Sequence, residues 1–193
     1  PPEESSSEEF SSESESLSEE PPMDGNCVGN NPCNMTYTDG EEDYINITDR
    51  DYKELPSRKT GAAIRLLNYS LICLKTNFTN CEVTHGGGGI FIILQKTLSM
   101  PVLFENLTFK HCRAVYGGAV YIYSDRSENL ITITSCIFED NTASKKQQQG
   151  FESHLYGGAA CFLQTTNSNI TNCLFNKNHG SGLKIFNDFN APP

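Results

Sequence analysis

From residue 60 onward the apolar positions recur as short runs, each introduced by a step of small residues. The step and its run appear as Thr60-Gly61-Ala62-Ala63-Ile64, Gly87-Gly88-Gly89-Ile90-Phe91, Gly117-Gly118-Ala119-Val120-Tyr121 and Gly157-Gly158-Ala159-Ala160-Cys161, with a degenerate copy at Ser181-Gly182-Leu183-Lys184-Ile185. Taking Gly61, Gly88, Gly118, Gly158 and Gly182 as anchors, the intervals are 27, 30, 40 and 24 residues. A second motif alternates with the first: Phe78…Cys81, Phe109…Cys112, Phe138…Asn141 and Phe175…Asn178, with phenylalanines 31, 29 and 37 apart. Both long intervals cross the polar stretch 144–155, which contains Lys145-Lys146-Gln147-Gln148-Gln149-Gly150 and reads as one loop insertion.

A period of this size marks a supersecondary unit that cannot bury its apolar face alone. Each unit holds two or three β-type runs split by turn residues, and stacking units about 4.8 Å apart lets each run pair with its equivalent above. Aligning the copies tests this. Cys136-Ile137-Phe138 matches Cys173-Leu174-Phe175, Leu107-Thr108-Phe109 and Thr76-Asn77-Phe78, with the outer two positions apolar or small and the middle one variable. Ile133, Ile170, Phe104 and Cys73 form a second column; Ile131, Val102 and Leu71 form a third, broken by Ser168. Period-two alternation that restarts after a turn predicts parallel coils with inward columns.

The surrounding chain differs in texture. Residues 1–25 are Ser-, Glu- and Pro-rich, with nine acids and no Lys or Arg, and are expected to be a disordered acidic linker. Residues 26–59 are rich in turn formers and read as an irregular cap or connector; the acidic run Asp39-Gly40-Glu41-Glu42-Asp43 reads as a solvated turn, since it lacks the alternating ligands of a calcium loop. The net charge of −10 belongs almost wholly to the tail, because the remaining 15 acids face 14 basic residues. A neutral body without a basic stripe argues against a nucleic-acid partner. No apolar run approaches the roughly 20 residues of a membrane helix. The chain begins at Pro1 instead of a methionine and shows no leader pattern, as expected of a piece of a longer polypeptide.

The repeated Gly-Gly-Ala-[Ile/Leu/Val] and Phe-x-x-Asn tetrapeptides resemble the repeats of polymorphic outer membrane proteins. Gly117-Gly118-Ala119-Val120 is a full match, as are Phe138…Asn141 and Phe175…Asn178; Gly157-Gly158-Ala159-Ala160 is close, and Cys81 and Cys112 depart from the pattern. The resemblance implies an all-β, right-handed parallel β-helix solenoid of the pectin lyase-like kind, about four to five coils over residues 60–187. It also implies a secreted or cell-surface protein used for adhesion, meeting a host-cell or extracellular protein or glycan. Six N-x-[ST] sequons, at Asn34, Asn46, Asn68, Asn77, Asn106 and Asn169, agree with an extracellular glycoprotein. Asn77 precedes an inward Phe and should point outward.

Eight cysteines are present. Cys27 and Cys33 could close a small loop disulfide. Cys81 with Cys112, and Cys136 with Cys173, hold equivalent positions in neighbouring coils and are either buried thiol ladders or bridges, the ladder being favoured. No C-x-x-C pair exists, and His85, His111, His154 and His179 are scattered, so no metal or cofactor is expected. Tyr116, Tyr121, Tyr123 and Tyr156 could form an exposed strip, though a structural ladder is the plainer reading. Catalysis is the main alternative, because many β-helices cleave polysaccharides with clustered carboxylates. The candidates Asp125, Glu128, Glu139 and Asp140 do not repeat from coil to coil, so no catalytic residue is assigned. The reading is a noncatalytic segment for adhesion or ligand contact, against a polysaccharide lyase or hydrolase, or a structural scaffold.

Overall fold

A computed structural model describes residues 32–36, 43–55, 58–143, 161–165, 167–180 and 182–186. The acidic tail 1–25, Cys27 and the insertion 144–155 fall outside them. Within them the chain repeats one path. The first coil runs β1 (Cys33–Thr36), β2 (Tyr44–Thr48), β3 (Asp51–Lys53) and β4 (Arg58–Thr60). The second runs β5 (Ile64–Leu67), β6 (Ser70–Leu74), β7 (Asn77–Thr79) and β8 (Val83–Gly86). The third runs β9 (Ile90–Leu94), β10 (Val102–Glu105), β11 (Thr108–Lys110) and β12 (Arg113–Ala114). The fourth runs β13 (Val120–Ser124), β14 (Ile131–Thr134), β15 (Ile137–Glu139) and β16 (Thr142–Ala143). β17 (Cys161–Gln164), β18 (Ser168–Thr171) and β19 (Leu174–Asn176) follow, and β20 (Leu183–Phe186) is the last described strand.

Equivalent strands stack into parallel sheets. Sheet I is β1-β5-β9-β13-β17-β20, sheet II is β2-β6-β10-β14-β18, and sheet III is β3-β7-β11-β15-β19. A narrow fourth side is made by β4 with β8 and β12 with β16. The register follows the apolar columns: Phe78 pairs with Phe109, Phe109 with Phe138 and Phe138 with Phe175, while Cys73, Phe104, Ile133 and Ile170 align in sheet II. The inward members are almost fully buried through the middle coils. The rings of Tyr52, Phe78, Phe109, Phe138 and Phe175 lie 4.6–5.2 Å apart with planes within 17° of parallel. Ring spacing thus matches strand spacing, so each coil extends one continuous stack.

Two expectations change. The connector expected over 26–59 holds a complete coil from Cys33 onward, because Tyr52 continues the phenylalanine stack and Ile47 continues the sheet II column. That coil lacks the Gly-Gly and Phe-x-x-Asn marks, which is why the repeat is invisible in its sequence. The glycine alignment also shifts by one. Ile64, Ile90 and Val120 share a register, so Gly61 corresponds to Gly87 and Gly117, not to Gly88 and Gly118. Gly61, Gly87 and Gly117 have φ of 51°, 63° and 54° and turn the chain into sheet I. By the same count Gly180, three residues before β20, and not Gly182 holds the equivalent position there, and Gly158 lies outside the described residues. Gly88 is required for close approach, because a Cβ there would stand 2.0 Å from the Gly118 carbonyl oxygen of the next coil.

The other corners use single left-handed residues that are not glycine. Asp49, Lys75, Asn106, Ser135 and Asn172 join sheet II to sheet III, and Glu54, Asn80, His111, Asp140 and Lys177 follow sheet III, all with φ between 46° and 55°. Asn and Asp tolerate this region, while Lys, Glu, Ser and His sit there at a cost of about 1 kcal/mol or more each. The chain accepts that cost because one left-handed residue turns it between sheets while both flanking strands keep their inward columns.

Candidate contact edge

The connections from sheet I to sheet II form the most irregular side of the solenoid. The third coil crosses there through residues 95–101 and the fourth through 125–130. Both loops are largely exposed, and Met100 and Leu130 present apolar side chains to solvent. They are nevertheless tied down. Asn129, 3% exposed, accepts the Leu98 N–H at 2.9 Å and donates its amide to the Lys96 carbonyl at 2.9 Å and the Ser124 hydroxyl at 3.1 Å. The Arg126 Nε donates to the Gln95 carbonyl at 3.0 Å. Gln95 N–H in turn donates to Asn68 Oδ1 of the second coil at 2.7 Å.

Asp43 extends the lacing to the first coil. Its carboxylate accepts the Ser99 N–H at 3.1 Å and the Ser99 hydroxyl, and lies 3.4 Å from the Lys96 ammonium. Burial alone would raise its pKa, but the Ser99 donors and the Lys96 charge outweigh that and hold it below the usual carboxylate value. The expectation of a solvated acidic turn therefore fails at Asp43, which is a buried acceptor. Its partners Lys96 and Ser99 lie 53 and 56 residues away in sequence, so no local pattern could have revealed them. Asn129 carries no signal of its own either, since a loop Asn is common.

The residues singled out from sequence fall into three settings. The first is interior. Asn141 is fully buried, accepts the Cys112 N–H at 2.9 Å, and donates to the Phe109 carbonyl at 3.1 Å and to Asn178 Oδ1 at 3.0 Å. Asn178 repeats this one coil on, donating to the Phe138 carbonyl at 2.9 Å. The Phe-x-x-Asn motif is thus a corner ladder that satisfies backbone groups of the neighbouring coil. Cys112 takes the same place with weaker contacts, its thiol lying 3.6 Å from both the Phe78 and the Lys110 carbonyl oxygens. Cys73, Cys81, Cys112, Cys136 and Cys173 are free thiols, all but the last buried. Burial pushes the Cys73 and Cys136 thiols up to about 12, and the stacked Cys112 thiol together with burial raises Cys81. Cys33 is disulfide-bonded, while its expected partner Cys27 lies outside the described residues.

The second setting is the outer surface. Asn46, Asn77, Asn106 and Asn169 are exposed, whereas Asn68 is half-buried; Asn34 lies in β1, paired with Arg65. Tyr121 stacks outside sheet I on Phe91 of the coil before it, at 5.1 Å, and burial pushes its phenol up to about 12. The tyrosine strip is therefore a ladder at this point, and Tyr156 lies outside the described residues. The third setting concerns the carboxylates. Asp125 and Glu128 belong to the loop edge, while Glu139 and Asp140 lie at the far end of sheet III. Glu139 is 2.7 Å from the Lys110 ammonium, whose hydrogen bond lowers the Glu139 pKa. Among the described residues no three His, Cys, Asp or Glu side chains gather, and no helix is long and apolar enough to cross a membrane. His111 and His179 are corner and bridge residues, and His154 lies outside the described residues.

This coiled path agrees with the family comparison. A model described as a right handed beta helix region matches residues 62–191. The chain belongs to the right-handed β-helix family. No curated protein and no solved structure matched it. The β-helix of this chain also extends one coil before the matched span, since β1–β4 pair in register with β5–β8.

Proposed function

We propose that this β-helix is a noncatalytic segment of an extracellular or cell-surface protein, and that it contacts a host-cell or matrix partner through the edge between sheets I and II. One observation carries this reading. Two exposed loops on neighbouring coils, 95–101 and 125–130, are pinned to each other by the buried Asn129. Binding residues are disproportionately found on loops held by a rigid scaffold. Here the edge offers the apolar Met100 and Leu130 beside Asp125, Arg126 and Glu128. That mixture suits a protein surface better than a sugar chain. The closer kinship to polymorphic outer membrane protein repeats belongs to the same proposal, supported by Gly117-Gly118-Ala119-Val120 and the two Phe-x-x-Asn corners.

A polysaccharide hydrolase would need two carboxylates facing across one groove. Sheets II and III separate Asp125 and Glu128 from Glu139 and Asp140 along the coil. The test is a retention assay with the immobilised chain against extracellular proteins, cell surfaces and glycans. Retention is expected on a protein-bearing surface, and the double variant Met100→Ser, Leu130→Ser should abolish it while leaving the thiols protected. Polysaccharide chain cleavage without retention on any surface would overturn the reading in favour of the enzyme.

A further inference from the structure

Four of the sequons share a geometric property that their sequence alone does not contain. Asn46 and Asn169 stand in one outward column of sheet II, at opposite ends of the run Asn46–Ile72–Leu103–Thr132–Asn169. Asn77 stands in the outward column of sheet III, beside Thr108 of the next coil. Asn106 is the left-handed corner residue between those two sheets. All four asparagines are exposed. Each acceptor also has its hydroxyl residue at +2 clear of the interior: Thr48 and Thr171 are exposed, and Thr79 and Thr108 are half-buried. In a strand, residues two apart point to the same face, so an outward Asn brings its Thr with it. Asn106 Nδ2 donates to Glu105 Oε1 at 3.4 Å, a surface bond that attachment of a sugar at that nitrogen would have to release.

We propose that Asn46, Asn77, Asn106 and Asn169 are N-glycan acceptors, so that sheets II and III and their shared corner form a glycan-bearing flank. The inference rests on the extracellular placement proposed above and adds where the sugars stand. In the transfer, the donor is an oligosaccharide linked to a polyprenyl pyrophosphate. Its sugar C1–O bond to phosphate breaks, a C1–Nδ2 bond to Asn forms, the amide gives up one proton, and the lipid pyrophosphate leaves with the bond's electron pair. In the third and fourth coils the equivalent sheet II positions are Leu103 and Thr132. The loop edge beside them therefore has no sequon in its own sheet II strands. Sugar would bracket that edge at the first and last sheet II strands without covering it.

The experiment directs the full chain into the secretory pathway of a eukaryotic host behind a cleavable leader. Glycans are then released enzymatically in heavy-oxygen water, and each formerly occupied Asn is read as a labelled Asp by peptide mass spectrometry. Label at three or four of these asparagines, in protein whose buried thiols remain protected, is the expected result. Label at two or fewer overturns the flank. The single variants Thr48→Val, Thr79→Val, Thr108→Val and Thr171→Val should each remove one step from the glycoform ladder on a gel; an unchanged ladder for any two of them also overturns it. Protein from its native cells decides the separate question. If it is bare while the secreted chain is labelled, the extracellular reading fails and the acceptor geometry stands.

Discussion

Replacing Phe109 tests whether the aromatic stack holds the coils together or merely accompanies them. Phe109 is fully buried, with Phe78 at 4.6 Å and 7° on one side and Phe138 at 5.0 Å and 4° on the other. Phe109→Leu keeps most of the volume and removes both ring contacts. At about 0.5–1.5 kcal/mol per aromatic pair, the loss is about 1–3 kcal/mol. Phe175 has one described ring neighbour, Phe138 at 4.9 Å, and is only half-buried. Phe175→Leu should therefore cost about half as much, roughly 0.5–1.5 kcal/mol. Phe109→Ala adds a cavity and should reach about 3–5 kcal/mol. Urea unfolding measures these values: with a slope near 2 kcal/mol/M, Phe109→Leu lowers the midpoint by roughly 0.5–1.5 M. Circular dichroism and thiol exposure should report the same midpoint, since a repeat array can lose cooperativity. Equal costs for Phe109→Leu and Phe175→Leu, or a Phe109→Leu cost below about 0.5 kcal/mol, would refute the reasoning. The stack would then be a by-product of strand spacing.

Four further outcomes follow from individual residues. The Tyr52 hydroxyl is buried with no hydrogen-bond partner among the described residues, so Tyr52→Phe should stabilise the chain by about 1–3 kcal/mol; a loss in urea midpoint would contradict this. Gly88→Ala drives a Cβ into the Gly118 carbonyl and should destabilise by more than about 1 kcal/mol, the reverse of a compatible Gly→Ala change, as read by thermal melting. Asp43 has a lowered pKa when folded, so its contribution is present above the unfolded value near 3.9 and is lost as pH falls through the folded one. Wild type should lose stability on acidification more steeply than Asp43→Asn, and parallel curves from pH 6 to 3 would count against the lacing. The raised thiol values work in the opposite window. Stability is full below the unfolded thiol value near 8.5 and falls as pH rises toward about 12, while alkylation of native protein should label Cys173 well before Cys73, Cys81, Cys112 or Cys136.

The interior was legible in sequence wherever the coil places one residue type at one height. Phe78, Phe109, Phe138 and Phe175 recur because a stack rejects other shapes, and their register follows directly from the aligned motifs. The first coil escaped notice because Tyr52 substitutes for Phe and no Gly-Gly step precedes β1. The left-handed corners escaped for a different reason. Lys75, His111 and Lys177 adopt φ near 50° under tertiary pressure, against their own preference. The contact edge was least legible of all. Its geometry depends on Asn129 and Asp43 reaching loops 31 and 56 residues away, and a one-dimensional pattern does not contain that distance.

Those corners also divide the coil into a rigid gauge and an adjustable one. Every described passage from sheet II to sheet III takes two residues: Asp49-Arg50, Lys75-Thr76, Asn106-Leu107, Ser135-Cys136 and Asn172-Cys173. The passage from sheet I to sheet II takes two in the second coil, Asn68-Tyr69, but spans 95–101 in the third and 125–130 in the fourth. An insertion in the first kind of passage would rotate a whole strand out of its column. In the second kind it lengthens a loop and leaves the register untouched. The molecule is thus a rack with one free slot per level. New sequence threaded between Leu94 and Val102, or between Ser124 and Ile131, changes what is displayed and keeps the inward columns in place, provided the Asn129 and Asp43 lacing is kept.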